Sequence, residues 1–240
     1  MRRIIRSWLM AFVLAASLIG PGEAGQFEDA AAAYRRGDYA TALQQFRSLA
    51  DQGDARAQNN LGMMYDTGQG VLENYNEAAK WFRLAADQGD ANAQTSLGAM
   101  YLSGQGVPQN YAEAMQWYRL AADQGFATAR VNLGAMYLKG LGVPQNLAEA
   151  VKWYRLAADQ GYADAQFALG AFYEDGQGVP KDYIRAYMWF NLAVEFYPVS
   201  QAEIRDEAIK YRDELAAKMT PEQIAQARAL ARQWHTIGGL

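Results

Sequence analysis

Residues 127–140 read ATARVNLGAMYLKG and are one copy of a segment that returns every 36 residues. At about 100° of rotation per residue, Ala129, Leu133, Met136 and Tyr137 fall on one side of a helix formed by this stretch. A period of 36 residues is typical of a stacked array of similar units and argues against one closed globular core. Four copies follow one another without a gap, at 55–90, 91–126, 127–162 and 163–198.

Positions that hold the same residue in all four copies carry the architecture, and positions that vary are where function can differ. The invariant columns are a leucine, the glycine after it, a tyrosine and a tryptophan. They consist of Leu61, Leu97, Leu133 and Leu169; Gly62, Gly98, Gly134 and Gly170; Tyr65, Tyr101, Tyr137 and Tyr173; and Trp81, Trp117, Trp153 and Trp189.

Each copy is predicted to be an antiparallel helix pair. The first helix, helix A, ends in residues 140–144 because glycine permits positive φ and proline cannot continue a helix. The second, helix B, is predicted over Leu147–Asp159, with Gly161 just past its last turn. One pair leaves apolar surface on both sides, so neighbouring pairs must stack into an all-α, right-handed superhelical solenoid.

The repeated pattern is A-x-A-Q-x-x-L-G-x-x-Y-x-x-G-x-G-V, followed by Y-x-E-A-x-x-W-Y-R-L-A-A-D-Q-G. This pattern resembles the Sel1-like repeat, a relative of the tetratricopeptide repeat, and the resemblance covers Ala55–Pro198. It implies a scaffold that binds proteins in envelope complexes, signalling or secretion, without chemistry of its own. Function inferred from a fold is an analogy, and it names no partner.

Both ends of the array are predicted to be caps. Residues 25–54 resemble a shorter tetratricopeptide unit, with Gln45 where the repeats have tryptophan. Residues 199–240 are predicted to form a helical cap that begins with an amphipathic helix over Gln201–Met219. Residues 220–223, TPEQ, then supply an N-cap, an N1 proline and a capping-box glutamine for the last helix.

The N-terminus has the pattern of a secretory signal peptide. Residues 1–7 carry three arginines, residues 8–20 are apolar or small, and small residues precede a cut after Ala24. The apolar run is shorter than the roughly 20 residues needed to cross a bilayer as a helix. Residues 1–24 are therefore expected to be removed, which leaves a periplasmic or secreted chain, from Gly25, with no stable membrane span.

The composition of the mature chain excludes several classes of protein. Removal of the signal leaves 19 basic against 25 acidic residues, whereas nucleic-acid-binding proteins present a basic patch. No cysteine is present, so stability must come from apolar burial and not from disulfides. The single histidine, His235, is expected to be a solvated tail residue. No catalytic, metal or cofactor motif is found, so no such site is predicted.

Three recurring motifs have both a functional and an architectural interpretation. The Asp-Gln-Gly that begins at Asp51, Asp87, Asp123 and Asp159 resembles calcium ligands, the Gly-Gln-Gly of repeats 1, 2 and 4 resembles a phosphate loop, and the tryptophan column resembles a glycan platform. Each motif keeps a fixed place in the repeat, which favours helix ends, inter-helix turns and core packing.

The variable face of helix A is the predicted interaction site, because helix A lines the concave surface in solenoids of this kind. Some of its residues are apolar where other repeats are polar, and a contiguous apolar strip with a polar rim is typical of a partner site. A helix or an extended peptide in that groove would bury the strip. The alternative is that curvature buries these positions against neighbouring helices. The predicted groove residues are Asn59, Met63, Asp66, Thr95, Leu102, Val131, Leu138, Phe167 and Glu174.

The sequence therefore predicts an exported scaffold that binds a protein or peptide partner in its concave groove and is not an enzyme. Two other classes remain open. An enzyme that acts on cell-wall peptide or β-lactam needs a cluster of perturbed acids. A glycan-binding or exopolysaccharide-assembly factor needs exposed aromatic side chains, and Tyr118, Tyr154 and Phe167 are its candidates.

Overall fold

The computed structural model describes residues 21–237, and within that range all regular structure is helical. A short 3₁₀ turn at Val199–Gln201 separates the repeats from the C-terminal helices. The helices are α1 Pro21–Arg35, α2 Tyr39–Asp51, α3 Ala55–Thr67, α4 Tyr75–Asp87, α5 Ala91–Ser103, α6 Tyr111–Asp123, α7 Ala127–Lys139, α8 Leu147–Ala158, α9 Ala163–Asp175, α10 Tyr183–Phe196, α11 Ala202–Ala216 and α12 Pro221–Ile237.

The helices pack as a series of antiparallel pairs. The closest packing is within the pairs α3–α4, α5–α6, α7–α8 and α9–α10, and each helix B then packs against the helix A that follows it. Helices α7 and α8 lie where the 36-residue pattern places helix A and helix B. The structure confirms an all-α solenoid of stacked helix pairs.

The invariant glycine of helix A allows the two helices of a pair to approach closely. A Cβ atom at Gly98 would lie only 2.8 Å from the ring of Tyr118, so the aromatic side chain of helix B rests directly on the backbone of helix A. The same contact joins Gly62 to Phe82, Gly134 to Tyr154 and Gly170 to Phe190. These aromatic rings are buried, and the pairs of glycine and ring form the centre of each repeat.

The second glycine of each Gly-x-Gly turn packs against the preceding repeat. Gly106 has a φ of +70°, and a Cβ atom there would lie 2.1 Å from the carbonyl oxygen of Tyr75, the first residue of α4. Backbone approach this close, at positive φ, requires glycine. The Gly-Gln-Gly motif is therefore explained by a packed inter-helix turn.

In repeats 1, 2 and 4 a buried glutamine joins helix A to the helix B before it, and Arg130 takes this place in repeat 3. The Nε2 of Gln94 donates to the carbonyl of Ala86 at 3.2 Å, and its Oε1 accepts a hydrogen bond from Gln124 at 2.8 Å. Gln124 belongs to the Asp-Gln-Gly motif and also donates to the carbonyl of Gly89. The equivalent residues one repeat earlier are Gln58, Ala50 and Gln88. The glutamine of this motif therefore connects successive repeats.

An arginine of helix B also stabilises the contact between successive repeats. Arg119 donates to the hydroxyl of Tyr137 at 3.0 Å, and its guanidinium carbon lies 5.2 Å from the ring centre of Trp153. Stacking of a guanidinium on an aromatic face is favourable. Equivalent hydrogen bonds join Arg47 to Tyr65 and Arg83 to Tyr101. This arginine–tyrosine ladder runs through the first three repeats.

The C-terminal helices enclose α10. Helix α11 contacts α10 as each helix A contacts the helix B before it, whereas α12 packs directly on α10. The backbone N–H of Thr220 donates to Gln223 Oε1 at 2.9 Å, and the Gln223 N–H donates to Thr220 Oγ1 at 3.3 Å. This reciprocal pair confirms the predicted capping box.

Candidate interaction surface

The groove strip is the set of nine predicted residues on helix A: Asn59, Met63, Asp66, Thr95, Leu102, Val131, Leu138, Phe167 and Glu174. The structure leaves all nine partly accessible, and none is either fully buried or fully exposed. Each side chain therefore makes contacts within the solenoid and presents its remaining surface to solvent. The surroundings differ from the first repeat to the last.

A column of small residues runs along the middle of the groove strip. Met63 of repeat 1 is followed by alanine at the same position in every later repeat, and Ala99 is exposed. Ala135 and Ala171 are partly accessible. In repeats 2–4 this column therefore adds only a methyl group to the surface of helix A.

The first repeat contributes the acidic end of the groove strip. Burial raises the pKa of Asp66, and the nearby negative charge of Glu73 raises it further. Thr95, in the next repeat, donates its hydroxyl to the carbonyl of Ala91 at 2.7 Å. Its hydrogen bond is satisfied within the helix, so the methyl group is available for apolar contact.

The apolar residues of repeats 2 and 3 are partly covered by their neighbours. Leu102 packs against the buried cluster that contains Tyr118 and Leu133. Val131 and Leu138 pack against the cluster built by helix B of repeat 3, repeat 4 and the C-terminal helices. Neighbouring residues therefore cover one side of these side chains, and the other side stays accessible.

The chain's own helix α11 covers the groove strip at repeat 4. The ring of Phe167 lies 5.2 Å from that of Tyr211 in a T-shaped arrangement. Glu174 forms an ion pair with Lys218 at 2.9 Å, and this hydrogen bond raises the pKa of the lysine. The two groove positions in this repeat are thus engaged within the molecule, and the open part of the strip lies in repeats 1–3.

A second apolar feature lies on helix B and was not predicted. Leu84, Leu120 and Leu156 occupy one column and are 47%, 48% and 37% exposed. In repeat 4 the same column is Leu192, which is fully buried in the cluster to which α12 contributes. The sequence contains a signal for this difference. The two columns beside the leucine hold lysine or glutamine in repeats 1–3 but Met188 and Phe196 in repeat 4, so only repeat 4 has an apolar stripe on this face.

Two of the three aromatic candidates for glycan binding are buried in the structure. Tyr118 and Tyr154 are 1% and 7% exposed, and burial raises the pKa of both hydroxyl groups. Phe167 packs against Phe190 and Tyr211. The tryptophan column is buried in repeats 2–4 and partly accessible at Trp81. The condition on which the glycan-binding alternative depends is not met by Tyr118 and Tyr154.

The expectation that His235 is a solvated tail residue is wrong. Its ring is partly buried, stacks on Phe196 at 5.9 Å between centroids, and lies 3.2 Å from Glu195 Oε2. The reason is that α12 continues past Trp234 and packs on α10. Among residues 25–236, no group of three or more histidine, cysteine, aspartate or glutamate side chains is placed to hold a metal ion.

The part of the chain that the structure describes contains no helix long and apolar enough to cross a membrane. The predicted signal peptide falls almost entirely outside the described residues, since only Pro21–Ala24 lie in α1.

Stacked helix pairs with an invariant core and a variable face define a repeat scaffold. The sequence model of one family, the Sel1 repeat, matches residues 55–90, 91–126, 127–162 and 163–195. The chain therefore belongs to the Sel1 repeat family, whose fold is a scaffold for protein–protein interaction. No match was found among curated proteins.

Solved structures agree with this assignment. A Sel1 repeat protein from Oxalobacter formigenes is 32% identical, with a TM-score of 0.71, over 88% of this chain and 80% of that one. A protective antigen of uropathogenic Escherichia coli with an SLR fold is also 32% identical, with a TM-score of 0.74, over 90% of this chain and 47% of that one. This chain thus spans about half the length of the antigen. An immunity protein from Pseudomonas aeruginosa, 20% identical over 82% of this chain and 83% of its own, shares the fold with a TM-score of 0.51.

Proposed function

We propose that this protein is an exported adaptor that holds a protein or peptide partner along the groove strip of repeats 1–3. The observation that carries the proposal is the half-accessible apolar surface of Leu102, Val131 and Leu138 beside the exposed side chain of Ala99. An amphipathic helix or an extended segment bound there would bury this surface. Asp66 and Asn59 supply a polar end that favours one orientation of the segment.

The position of α11 supports a bound helix. This helix places Tyr211 on Phe167, and Lys218, just after its end, pairs with Glu174, so an aromatic side chain and a cation already contact two groove positions. A partner segment in repeats 1–3 would meet the equivalent positions Val131 and Leu138. Its affinity would come from apolar contact, and its specificity from the acidic and polar rim.

The proposed adaptor has no chemistry of its own. The Sel1 repeat family is in general a non-catalytic scaffold, and a hydrolase or penicillin-binding assay on the purified chain is expected to give no turnover and no acylation. Either activity would revive the cell-wall enzyme alternative.

A capture experiment tests the groove with a matched control. Mature protein and the variant Leu102→Glu/Leu138→Glu serve as baits for an envelope extract, next to Leu120→Glu/Leu156→Glu. The control pair lies in the same repeats, makes the same chemical change and alters exposed leucines of helix B. A partner captured by wild type and the control but lost with the groove variant is the expected result. Circular dichroism checks that all three baits are folded.

A photo-crosslinking experiment maps the contact directly. A photoreactive amino acid at Ala99, which is exposed in the middle of the groove strip, is expected to crosslink the captured partner, and the same group at Leu120 is not. Crosslinking from Leu120 alone would move the interaction to helix B and overturn the groove proposal.

Export is tested separately. N-terminal sequencing of the protein recovered from a periplasmic or culture fraction is expected to begin at Gly25, since residues 1–24 have the signal-peptide pattern. Recovery of the full-length chain only from the cytoplasmic fraction would contradict export and leave the groove proposal intact.

A further inference from the structure

A cavity of about 510 Å³ lies at the C-terminal end of the repeats, between the end of α8, the first half of α10 and helix α12. Its walls include Met188, Trp189, Leu230 and Trp234, so most of the lining is apolar. It shares no residue with the groove strip. A volume of this size lies in the range of small-molecule sites.

Arg155, at one side of this cavity, departs from the arginine–tyrosine ladder. The equivalent Arg47, Arg83 and Arg119 each donate a hydrogen bond to the tyrosine hydroxyl of the next repeat. Arg155 donates no side-chain hydrogen bond and forms no ion pair with any residue in the described range; its guanidinium carbon lies 4.8 Å from the ring centre of Trp189. Its N–H donors therefore remain available to a ligand.

Arg185 is the second basic residue of the cavity, and its position reverses the charge of its column. The equivalent residues in repeats 1–3 are Glu77, Glu113 and Glu149. The Arg185 guanidinium carbon lies 5.7 Å from the ring centre of Tyr173, the tyrosine that Arg155 would otherwise hold. The change from glutamate to arginine in this column thus adds a positive charge to the cavity wall.

Two carboxylates lie near these arginines. Asp182 contacts Arg185 Nε at 3.5 Å in an exposed ion pair, which is weak because solvent screens it. Asp159 lines the cavity and accepts a hydrogen bond from Trp234 Nε1 at 3.4 Å. The charged side chains that line the cavity are therefore two guanidinium groups and one carboxylate. This local excess of positive charge occurs in a chain whose net charge is −4.

We propose that this cavity binds a small carboxylate joined to an aliphatic or aromatic body. The planar guanidinium fork is suited to a carboxylate, which it can bind through two parallel hydrogen bonds. The apolar walls would take the body of the ligand, and Trp234 of α12 would lie against it. The inference is independent of the groove and goes beyond the scaffold function.

An NMR titration tests the proposal on the purified protein. N-acetyl-L-leucine is the probe, and the indole N–H signal of Trp234 is the readout. The acid is expected to shift this signal saturably. N-acetyl-L-leucinamide, which lacks only the carboxylate, is expected to bind at least tenfold more weakly. Inorganic phosphate serves as a third arm, because arginines also bind phosphate.

Matched variants assign the binding to these arginines. Arg155→Gln and Arg185→Glu are each expected to weaken binding of the acid at least tenfold, and Arg119→Gln, one repeat earlier in the same column as Arg155, to leave it unchanged. If Arg155→Gln does not fold, Arg155→Lys replaces it and is expected to bind with intermediate affinity, because lysine offers a point charge and not a fork. Equal binding of acid and amide, equal losses from Arg119→Gln and Arg155→Gln, or tighter binding of phosphate would each overturn the proposal.

Discussion

Helix B of the second repeat (α6) and helix B of the fourth repeat (α10) are similar in length. Both place their inner residues in the core, but their outer faces differ. In α6 the outer face carries Gln116, Leu120 and Gln124, and Leu120 is 48% exposed. In α10 the equivalent residues are Met188, Leu192 and Phe196, and Leu192 is fully buried. Two glutamines replaced by apolar residues turn a solvated face into a docking site for α12, because residues four apart share one side of a helix.

The replacement of glutamine by Phe196 also removes a hydrogen bond between two glutamines that repeats 1 and 2 contain. In repeats 1 and 2 the buried glutamine of helix A, Gln58 or Gln94, accepts a hydrogen bond from the glutamine at the end of helix B. In repeat 4 that donor is replaced by Phe196, and the buried Oε1 of Gln166 has no partner in the described part of the molecule. An unsatisfied buried acceptor costs about 1–3 kcal/mol. The docking of α12 therefore outweighs this loss at the end of the array.

The largest expected change in the free energy of unfolding comes from the tryptophan column, whose first and last members differ in burial. Trp189→Ala removes a fully buried side chain and is expected to lower the free energy of unfolding by about 3–5 kcal/mol. Trp81→Ala removes a partly accessible side chain and is expected to lower it by less than half as much. Urea denaturation followed by circular dichroism measures both. Equal losses would mean that the repeats do not differ in this column.

The next effect concerns the contact of glycine with the aromatic ring. A Cβ atom at Gly170 would lie 2.4 Å from the ring of Phe190, and one at Gly134 would lie 3.0 Å from the ring of Tyr154. Gly170→Ala is therefore expected to destabilise by about 1–3 kcal/mol through overpacking. Gly134→Ala is expected to be near neutral, because alanine gains about 1 kcal/mol of helix propensity. The midpoint of chemical denaturation measures both variants. A lower midpoint for Gly134→Ala than for Gly170→Ala would mean that helices A and B are packed less closely in repeat 4 than in repeat 3.

A third variant converts repeat 4 toward repeat 2. Phe196→Gln supplies a donor for Gln166 but removes the ring that lies 5.5 Å from Trp234. The new hydrogen bond is worth about 1 kcal/mol, less than the apolar contact that is lost, so a net loss of roughly 1–2 kcal/mol is expected. Hydrogen exchange is expected to become faster in α12 and to stay unchanged in α5. Faster exchange throughout would instead indicate that the whole array depends on this cap.

The smallest effect distinguishes the first two repeats from the last two. Asp54 caps α3 by accepting from the N–H groups of Arg56 and Ala57, whereas Phe126 and Tyr162, at the equivalent positions of repeats 3 and 4, give no side-chain cap. Asp54→Ala is expected to lower the free energy of unfolding by about 0.5–2 kcal/mol at neutral pH. Phe126→Asp, which introduces the missing cap, is the converse test.

The cap also gives this end of the array a dependence on pH. Burial raises the pKa of Asp54, but hydrogen bonds from Arg56 and Ala57 lower it more, and the pKa lies below its usual value. The stabilisation is therefore present above the ordinary aspartate pKa and is lost as the pH falls through the lowered one. An acid titration of stability is expected to show this loss in wild type and to show less of it in Asp54→Ala.

The sequence predicted the features that depend on local spacing. Helices α7 and α8, and the capping box at Thr220 and Gln223, follow from residues close in the chain. The docking of α12 on Met188 and Phe196 was not predicted, because it depends on the contrast between one repeat and the others. The half-burial of Val131 and Leu138 depends on packing against a cluster that extends into repeat 4 and the C-terminal helices, which cannot be read from one unit. Whether the groove strip binds a partner stays a prediction.

The contacts between successive repeats have a consequence for how such molecules change in length. Gln94 donates to Ala86 and Gln124 to Gly89, while Arg83 donates to Tyr101, so each of these hydrogen bonds joins one repeat to its immediate neighbour. Removing or duplicating a whole 36-residue period would keep these positions in register, whereas an insertion or deletion of another size within a repeat would misplace the hydrogen-bonding partners at that point. A gene that encodes such a chain can therefore change the reach of the protein by unequal recombination between copies, in whole-repeat steps, with the same two ends retained.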